Sequence, residues 1–285
     1  MSKTRSKVPL GHVKKANGAT FLNLPYMLWA VIFMVVPMFI VGYYAFTDAN
    51  GNFTLANFKE LGSYQDSILY SFLYAFIATV IILLVAYPFA YFVSRCNETT
   101  QKIIMMLVML PLWMNMLILT NSISILIEKN GVINNVLTMV GLDKLELWGT
   151  PGAVIFGLIY NYFPYMVLPL VSVLSKIDPA VLEASSDLGS NGFSRFFRII
   201  LPLSMPGIVS GLTMVFVPCV STFYISQKLG GAGVILIGDV IETLMMKETT
   251  YNIGAMVSVV LLVIIVVCIM IMNRFSDDEE GGMII

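Results

Sequence analysis

The chain carries a single histidine, His12, and three widely separated cysteines, Cys96, Cys219 and Cys268. No zinc site and no Ser-His-Asp constellation can be assembled from that set. Cysteines scattered through apolar runs read as small hydrophobes, not as a disulfide framework. No G-x-x-x-x-G-K-[ST] phosphate loop occurs, so the chain itself lacks the usual ATP site. The cluster Gly230, Gly231 and Gly233 reads as a turn. What remains binds instead of reacting. Asn115 and Asn121, then Tyr160, Tyr162 and Tyr165, then Tyr224 lie within long apolar stretches, together with Asn161, Ser221, Thr222 and Gln227. Hydrogen bonds between helices are one reading of such residues, and the lining of a solute pathway is the other. Tyrosine faces suit ammonium groups through cation-π contact. Asp239 and Glu242 interrupt the apolar stretch Val234 to Met246, either attracting cations at an outer mouth or simply being solvated at an interface.

The elements that must hold these residues follow from composition. Hydrophobic residues make up 58% of the 285 residues, charged residues 12%, and the mean hydropathy is +0.86. Soluble chains carry roughly twice that share of charge, about 25%, and here the charges collect between the apolar stretches. The net charge of -1 gives no basic surface for nucleic acid. A bilayer core about 30 Å thick needs about 20 apolar residues in a helix. Six segments reach that length: Leu24 to Phe46, Ile68 to Val93, Ile103 to Ile127, Gly152 to Leu174, Pro206 to Ile225 and Ile253 to Met272. Backbone groups find no water partner in hydrocarbon, and the alternation of a membrane strand is absent, so the fold class is an all-α membrane protein of six transmembrane helices. Leu24 to Phe46 is too long for a signal h-region and no small-x-small cleavage site follows it, so it reads as a retained first span.

Loop charges set the orientation. Lys3, Arg5, Lys7, Lys14, Lys15, Arg95, Lys102, Lys176, Arg195, Arg198 and Arg274 are eleven basic residues on one side, against five on the other, Lys59, Lys129, Lys144, Lys228 and Lys247. Cytoplasmic loops are enriched in Lys and Arg. Both termini are therefore expected inside the cell: a basic tail over 1–23, the permeation domain over 24–273, and an acidic tail over 274–285. The connection 175–205 is expected on the same side. Val234 to Met246 is too short to span and is expected as an interfacial or re-entrant helix outside. The acidic run Asp277 to Glu280 reads as a solvated, disordered end.

None of the six cores holds an acidic or basic side chain, the usual mark of a proton relay or voltage sensor. Any active transport would then draw its energy from elsewhere, and the 175–205 connection is where a partner could push. Asp178 followed by Pro179 is an N-cap with proline at the first helical position, and Gly189 suits a left-handed helix end. A helix of about ten residues, near 15 Å long, is expected between them. Val181, Leu182, Ser185 and Leu188 recur along it as one apolar stripe, while Ala184, Ser185 and Ser186 leave room for close approach. A second amphipathic stretch, Phe193 to Ile200, carries Arg195 and Arg198, and Pro202 and Pro206 stiffen the entry into the fifth span.

Glu183, Ala184 and Ser185, then Asp187, Leu188 and Gly189, then Ile199, Leu201 and Pro202, resemble the EAA loop of permease subunits in binding-protein-dependent ABC importers. The resemblance extends over Leu24 to Asn273 and, within that family, is to spermidine/putrescine-type permeases. It is carried by Ala86 to Tyr91, Leu110 to Trp113, Gly131 to Asn134, Tyr162 to Tyr165, Leu229 to Gly231 and Leu236 to Gly238. Ser185 replaces a usual Ala, Ile225-Ser226-Gln227 lacks a common proline, and Asp239 stands where Asn is frequent. The resemblance implies the type I ABC importer permease (MetI-like) fold. It also implies a second homologous permease, an ATPase dimer that binds ATP and Mg while this chain holds no cofactor, an external binding protein, a polyamine cargo and a place in the cell membrane. Two rival classes are a self-sufficient channel or ion-coupled carrier, and an intramembrane enzyme; another small solute is the rival cargo.

Overall fold

The computed structural model describes residues 24–48 and 50–282. The basic tail, His12 included, lies outside the described residues. Six helices among them are long and apolar enough to cross a membrane: Pro25–Ala45, Ala56–Ser94, Met116–Met139, Pro151–Leu174, Gly192–Ser221 and Glu248–Met272. Strands are absent among the described residues, where an isolated bridge, Thr47 with Phe53, closes the first loop.

The first span comprises α1 (Leu24–Ala30), a π-helical turn (Val31–Val35) and α2 (Val36–Ala45). Proline explains the wide turn. Pro37 has no N–H to donate and its ring crowds the carbonyl four residues back, so the ladder widens just before it and Val36 N bonds Val31 O. The same device recurs at Phe196–Ile200, where Leu201 N bonds Phe196 O immediately before Pro202.

A 3-10 segment (Ala56–Tyr64) leads into α3 (Gln65–Ser94). The expected third span, Ile103 to Ile127, is not one helix. It divides into α4 (Glu98–Trp113) and α5 (Met116–Ile127), with Met114 and Asn115 extended between them. Pro111 weakens the ladder, and the Asn115 side chain accepts Leu117 N at 2.8 Å, starting a new helix instead of continuing the old one. The run that qualifies as a span is accordingly displaced towards α6 (Val132–Met139).

α7 (Pro151–Leu174) is followed by the short α8 (Pro179–Asp187). α9 (Gly192–Arg195), the second π turn and α10 (Leu201–Ser221) then form one unbroken helical run, so the expected fifth span begins earlier than Pro206 and stops before Thr222. α11 (Tyr224–Leu229) and α12 (Ile237–Met245) precede α13 (Tyr251–Gly282). α13 carries the acidic run Asp277 to Glu280 as helix: propagation from a formed helix costs far less than nucleation, so the polar end extends the apolar one.

The core is α7 lying along both α3 and α10. Half of the α7 window is buried, against 0% for the first span, which hangs on the outside through α13. Membrane helices gain little from hydrophobic burial between themselves and associate through close van der Waals packing of small residues. Ala78, Ala86 and Ala90 line the fully buried stripe of α3. Gly207 and Gly211, four apart on α10, let α7 approach: a Cβ on Gly207 would press on Val173, and one on Gly211 would press on Met166 and Pro169.

Candidate functional site

α8 is built at both ends by side chains and backbone that its sequence dictates. Asp178 is extended, and its carboxylate accepts Ala180 N at 2.9 Å. At the other end Ser190 N reaches Ser185 O at 3.0 Å and Gly189 N reaches Ser186 O at 2.9 Å, a full Schellman closure with Gly189 at φ +81°. Asn191 then caps the following helix by accepting Ser194 N at 2.7 Å. Two helices therefore meet at a defined corner.

That corner is tied together and fastened to the bundle. Arg195 donates to Ser186 Oγ at 2.8 Å and to Leu182 O at 3.4 Å, joining α9 to α8. α9 runs into α10 without a break, so Arg195 ties α8 to a core helix. Tyr87 of α3 bonds Ser204 of α10 at 2.7 Å, and its ring stands edge-on to Phe196. Arg95, at the end of α3, lies over the Tyr91 ring and donates to Ile177 O at 3.4 Å, while Gln101 of α4 donates to Ser175 Oγ at 2.7 Å.

The expected single apolar stripe of α8 is split between two faces. Leu182 packs against the core and Ser185 is 7% exposed, whereas Val181 is exposed and Leu188 is 88% exposed. Burial falls on one edge of the stripe because α8 rests on Arg195 and the bundle along the Leu182 and Ser185 side only. Glu183, Ala184 and Asp187 are also exposed, and neither acid forms an ion pair among the described residues. On the adjoining helical run Phe193, 75% exposed, and Phe197 contact one another with tilted rings, centroids 4.6 Å apart. These two aromatics are part of the outward face, a role their spacing alone did not reveal. Ile199 is half-buried, while Leu201 and Pro202 begin α10.

The polar residues expected along a pathway fall into separate settings. Asn115 is a helix cap at the α4/α5 break, and Asn121 is exposed on α5. On α7, Tyr160 and Tyr165 are exposed, Asn161 donates to Gly157 O at 2.8 Å, and the buried Tyr162 reaches Pro218 O at 3.5 Å. Tyr162 and Asn161 thus serve helix contacts. Tyr224 opens α11 just past a second break, Thr222–Phe223. Asp239, 6% exposed near the start of α12, accepts Leu236 N at 2.9 Å through Oδ2. Burial pushes its carboxyl above the ordinary range, and the nearby Glu242 adds to the shift, against hydrogen bonding that lowers it. Glu242 accepts the Gln227 amide of α11.

A six-span helical bundle with a helical corner welded to a core helix has close relatives. Residues 86–278 match the family described as binding-protein-dependent transport system inner membrane component. The chain belongs to that family. Among characterised relatives of this inner membrane component is the spermidine/putrescine transport system permease protein PotB of Haemophilus influenzae, 36% identical over 86% of this chain and 90% of the relative. PotB of Escherichia coli is 34% identical over 87% and 94% respectively. The permease also shares its fold with a chain of a bacterial ABC transporter that imports the acidic polysaccharide alginate: the TM-score is 0.77 at 18% identity, covering 91% of this chain and 95% of the other. It is a multi-pass, all-helical permease of the MetI-like fold.

Proposed function

We propose that this chain is one of two homologous permeases in a bacterial inner-membrane importer for polyamines of the spermidine/putrescine class. An external binding protein delivers the cargo, and a separate ATPase dimer that binds ATP and Mg supplies the energy. The similarity to PotB proteins over most of both chains supports the cargo class. The solved complex of the alginate importer with its pentasaccharide-bound periplasmic protein is a precedent for the binding-protein partner.

The observation that carries the reading is α8. The corner of α8, α9 and the π turn presents Val181, Leu188, Phe193 and Phe197 outward beside the exposed Glu183 and Asp187, and exposed apolar groups of this kind mark a protein interface. The excess of Lys and Arg on this side of the chain supports a cytoplasmic position for the corner, where an ATPase works. In this reading Glu183, Ala184, Asp187, Leu188 and Gly189 dock in the ATPase, the buried Ser185 seats α8 on the bundle behind them, and Ile199, Leu201 and Pro202 join the docked corner to α10. Closing of the ATPase dimer pulls α8, and α10 follows because the helix Gly192–Ser221 is continuous.

Leu188→Cys, in a background where the half-exposed Cys96 is Ser, tests the docking. A cysteine cross-linker should join the permease to the co-purified ATPase. Absence of that adduct with and without nucleotide rejects docking through α8. Reconstitution of this chain alone addresses the channel or carrier reading: vesicles that take up polyamine without ATPase and binding protein would replace the importer assignment.

A further inference from the structure

The junction of α10, α11 and α12 gathers negative groups, and although α11 carries Lys228 in its last turn, no cation pairs with them among the described residues. α10 stops at Ser221 with Thr222 extended. The last carbonyls of a helix lack partners within it and carry its negative dipole end. The Ser221 and Thr222 carbonyls press on Gly238 so closely that a Cβ there would collide with both. Asp239 follows immediately. Its Oδ1 is buried without a donor in bonding geometry: Ser226 and Gln227 lie close enough to favour the charged carboxylate, but the Ser226 hydroxyl donates to Phe223 O at 2.8 Å and the Gln227 amide to Glu242. The charged group facing Asp239 is another carboxylate, Glu242, and neither forms an ion pair among the described residues.

A buried carboxylate oxygen without a donor is costly, and a second carboxylate beside it raises the cost. Polar groups in that condition call for a ligand that brings protons to donate and positive charge. A primary ammonium brings three N–H donors and one charge. Discontinuous membrane helices present free carbonyls to cations in the same manner.

We propose that Asp239, with Glu242 one helical turn further, binds a primary ammonium group of the cargo at this junction. The inference rests on the polyamine reading above and adds the residues that hold the charge. Gln227 positions Glu242, and the break at Thr222–Phe223 lets α11 move relative to α10 so that Oδ1 becomes accessible as the cargo passes.

Asp239→Asn keeps an oxygen to accept Leu236 N and removes the charge. The complete importer, with second permease, ATPase and binding protein, is reconstituted in vesicles, and labelled spermidine taken up per ATP hydrolysed is measured. Loss of a charge-assisted hydrogen bond lowers that ratio about tenfold or more in Asp239→Asn. For Glu242→Gln, whose charge is less buried, the expected drop is about threefold. A purely structural role lowers uptake and hydrolysis together and leaves the ratio at the wild-type value; that result in both variants, or in Glu242→Gln alone should Asp239→Asn fail to assemble, overturns the proposal. Wild-type uptake that depends on sodium, with the ratio restored in neither variant by raising spermidine, would assign the junction to an inorganic cation and overturn the ammonium assignment. Wild-type vesicles that accumulate neither spermidine nor putrescine would overturn the polyamine reading itself, a result distinct from a normal ratio in the variants.

Discussion

Gly189 is where one residue decides whether the α8 corner exists. At φ +81° a β-branched side chain clashes with its own backbone, at a cost of about 1–3 kcal/mol. Nothing lies within 4 Å of the position a Cβ would take, so the penalty is backbone strain alone. Gly189→Val should therefore leave the bundle folded but abolish co-purification of the ATPase or transport, and normal transport by this variant would show that α8 does not need its Schellman closure. Asp48 gives a second test in the first loop. Its carboxylate accepts Asn52 N and Asn50 N, both at 2.9 Å, and the Asn52 amide is the largest cause holding its pKa below the ordinary value. A lowered folded pKa means the contribution is present above the ordinary carboxylate range and lost as pH falls through the depressed value. Hydrogen exchange at Asn50 and Asn52 should quicken beyond its intrinsic pH dependence on acidification. Protection unchanged to strong acid would contradict this.

At the scale of elements, the two breaks set the bundle apart from six plain rods. Asn115→Ala removes the cap that starts α5 and should cost about 1 kcal/mol, read as a lower unfolding temperature of the solubilised protein. An unchanged temperature would mean that packing alone holds the break. The α8 corner depends in a similar way on Arg195, whose two hydrogen bonds tie α9 to α8. Replacing it with Ala should reduce uptake per ATP while the Leu188→Cys cross-link persists, because the docked helix would move without pulling α10 as firmly. Loss of the cross-link in that background would show instead that Arg195 is needed to form the docking surface.

For the whole molecule, the contact of α7 with α10 is a main seam of the core, and under the proposed coupling a pull at α8 reaches the rest of the bundle through it. It is built on absent side chains, Gly207 and Gly211. Gly211→Leu forces extra atoms against Met166 and Pro169, with an overpacking cost of about 1–3 kcal/mol or more. The expected outcome is a broadened, aggregated profile on size-exclusion chromatography, whereas Ser210→Leu on the exposed face of α10 should elute as wild type does. Matching profiles for both would remove the close approach from the account. The first span, unburied apart from its contact with α13, plays no part in that core.

Sequence alone determined the features that rest on chain-local physics. Hydrocarbon thickness and the lack of charge fixed the number of spanning helices, and Asp178, Pro179 and Gly189 fixed both ends of α8, since a cap and a left-handed residue act within a turn of themselves. The EAA-like spacing of Glu183 to Pro202 identified the family. Tertiary structure decided what depends on neighbours distant in the chain. Asn115 was legible as a polar residue in an apolar stretch, but not as the cap at a complete break. Continuity of Gly192–Ser221 through three prolines, Pro202, Pro206 and Pro218, required the π turn that absorbs the first of them. The division of the α8 stripe and the unpartnered oxygen of Asp239 could not be read from spacing at all, because burial and hydrogen-bond supply are set by which helices pack together, and periodicity names a face without naming what covers it.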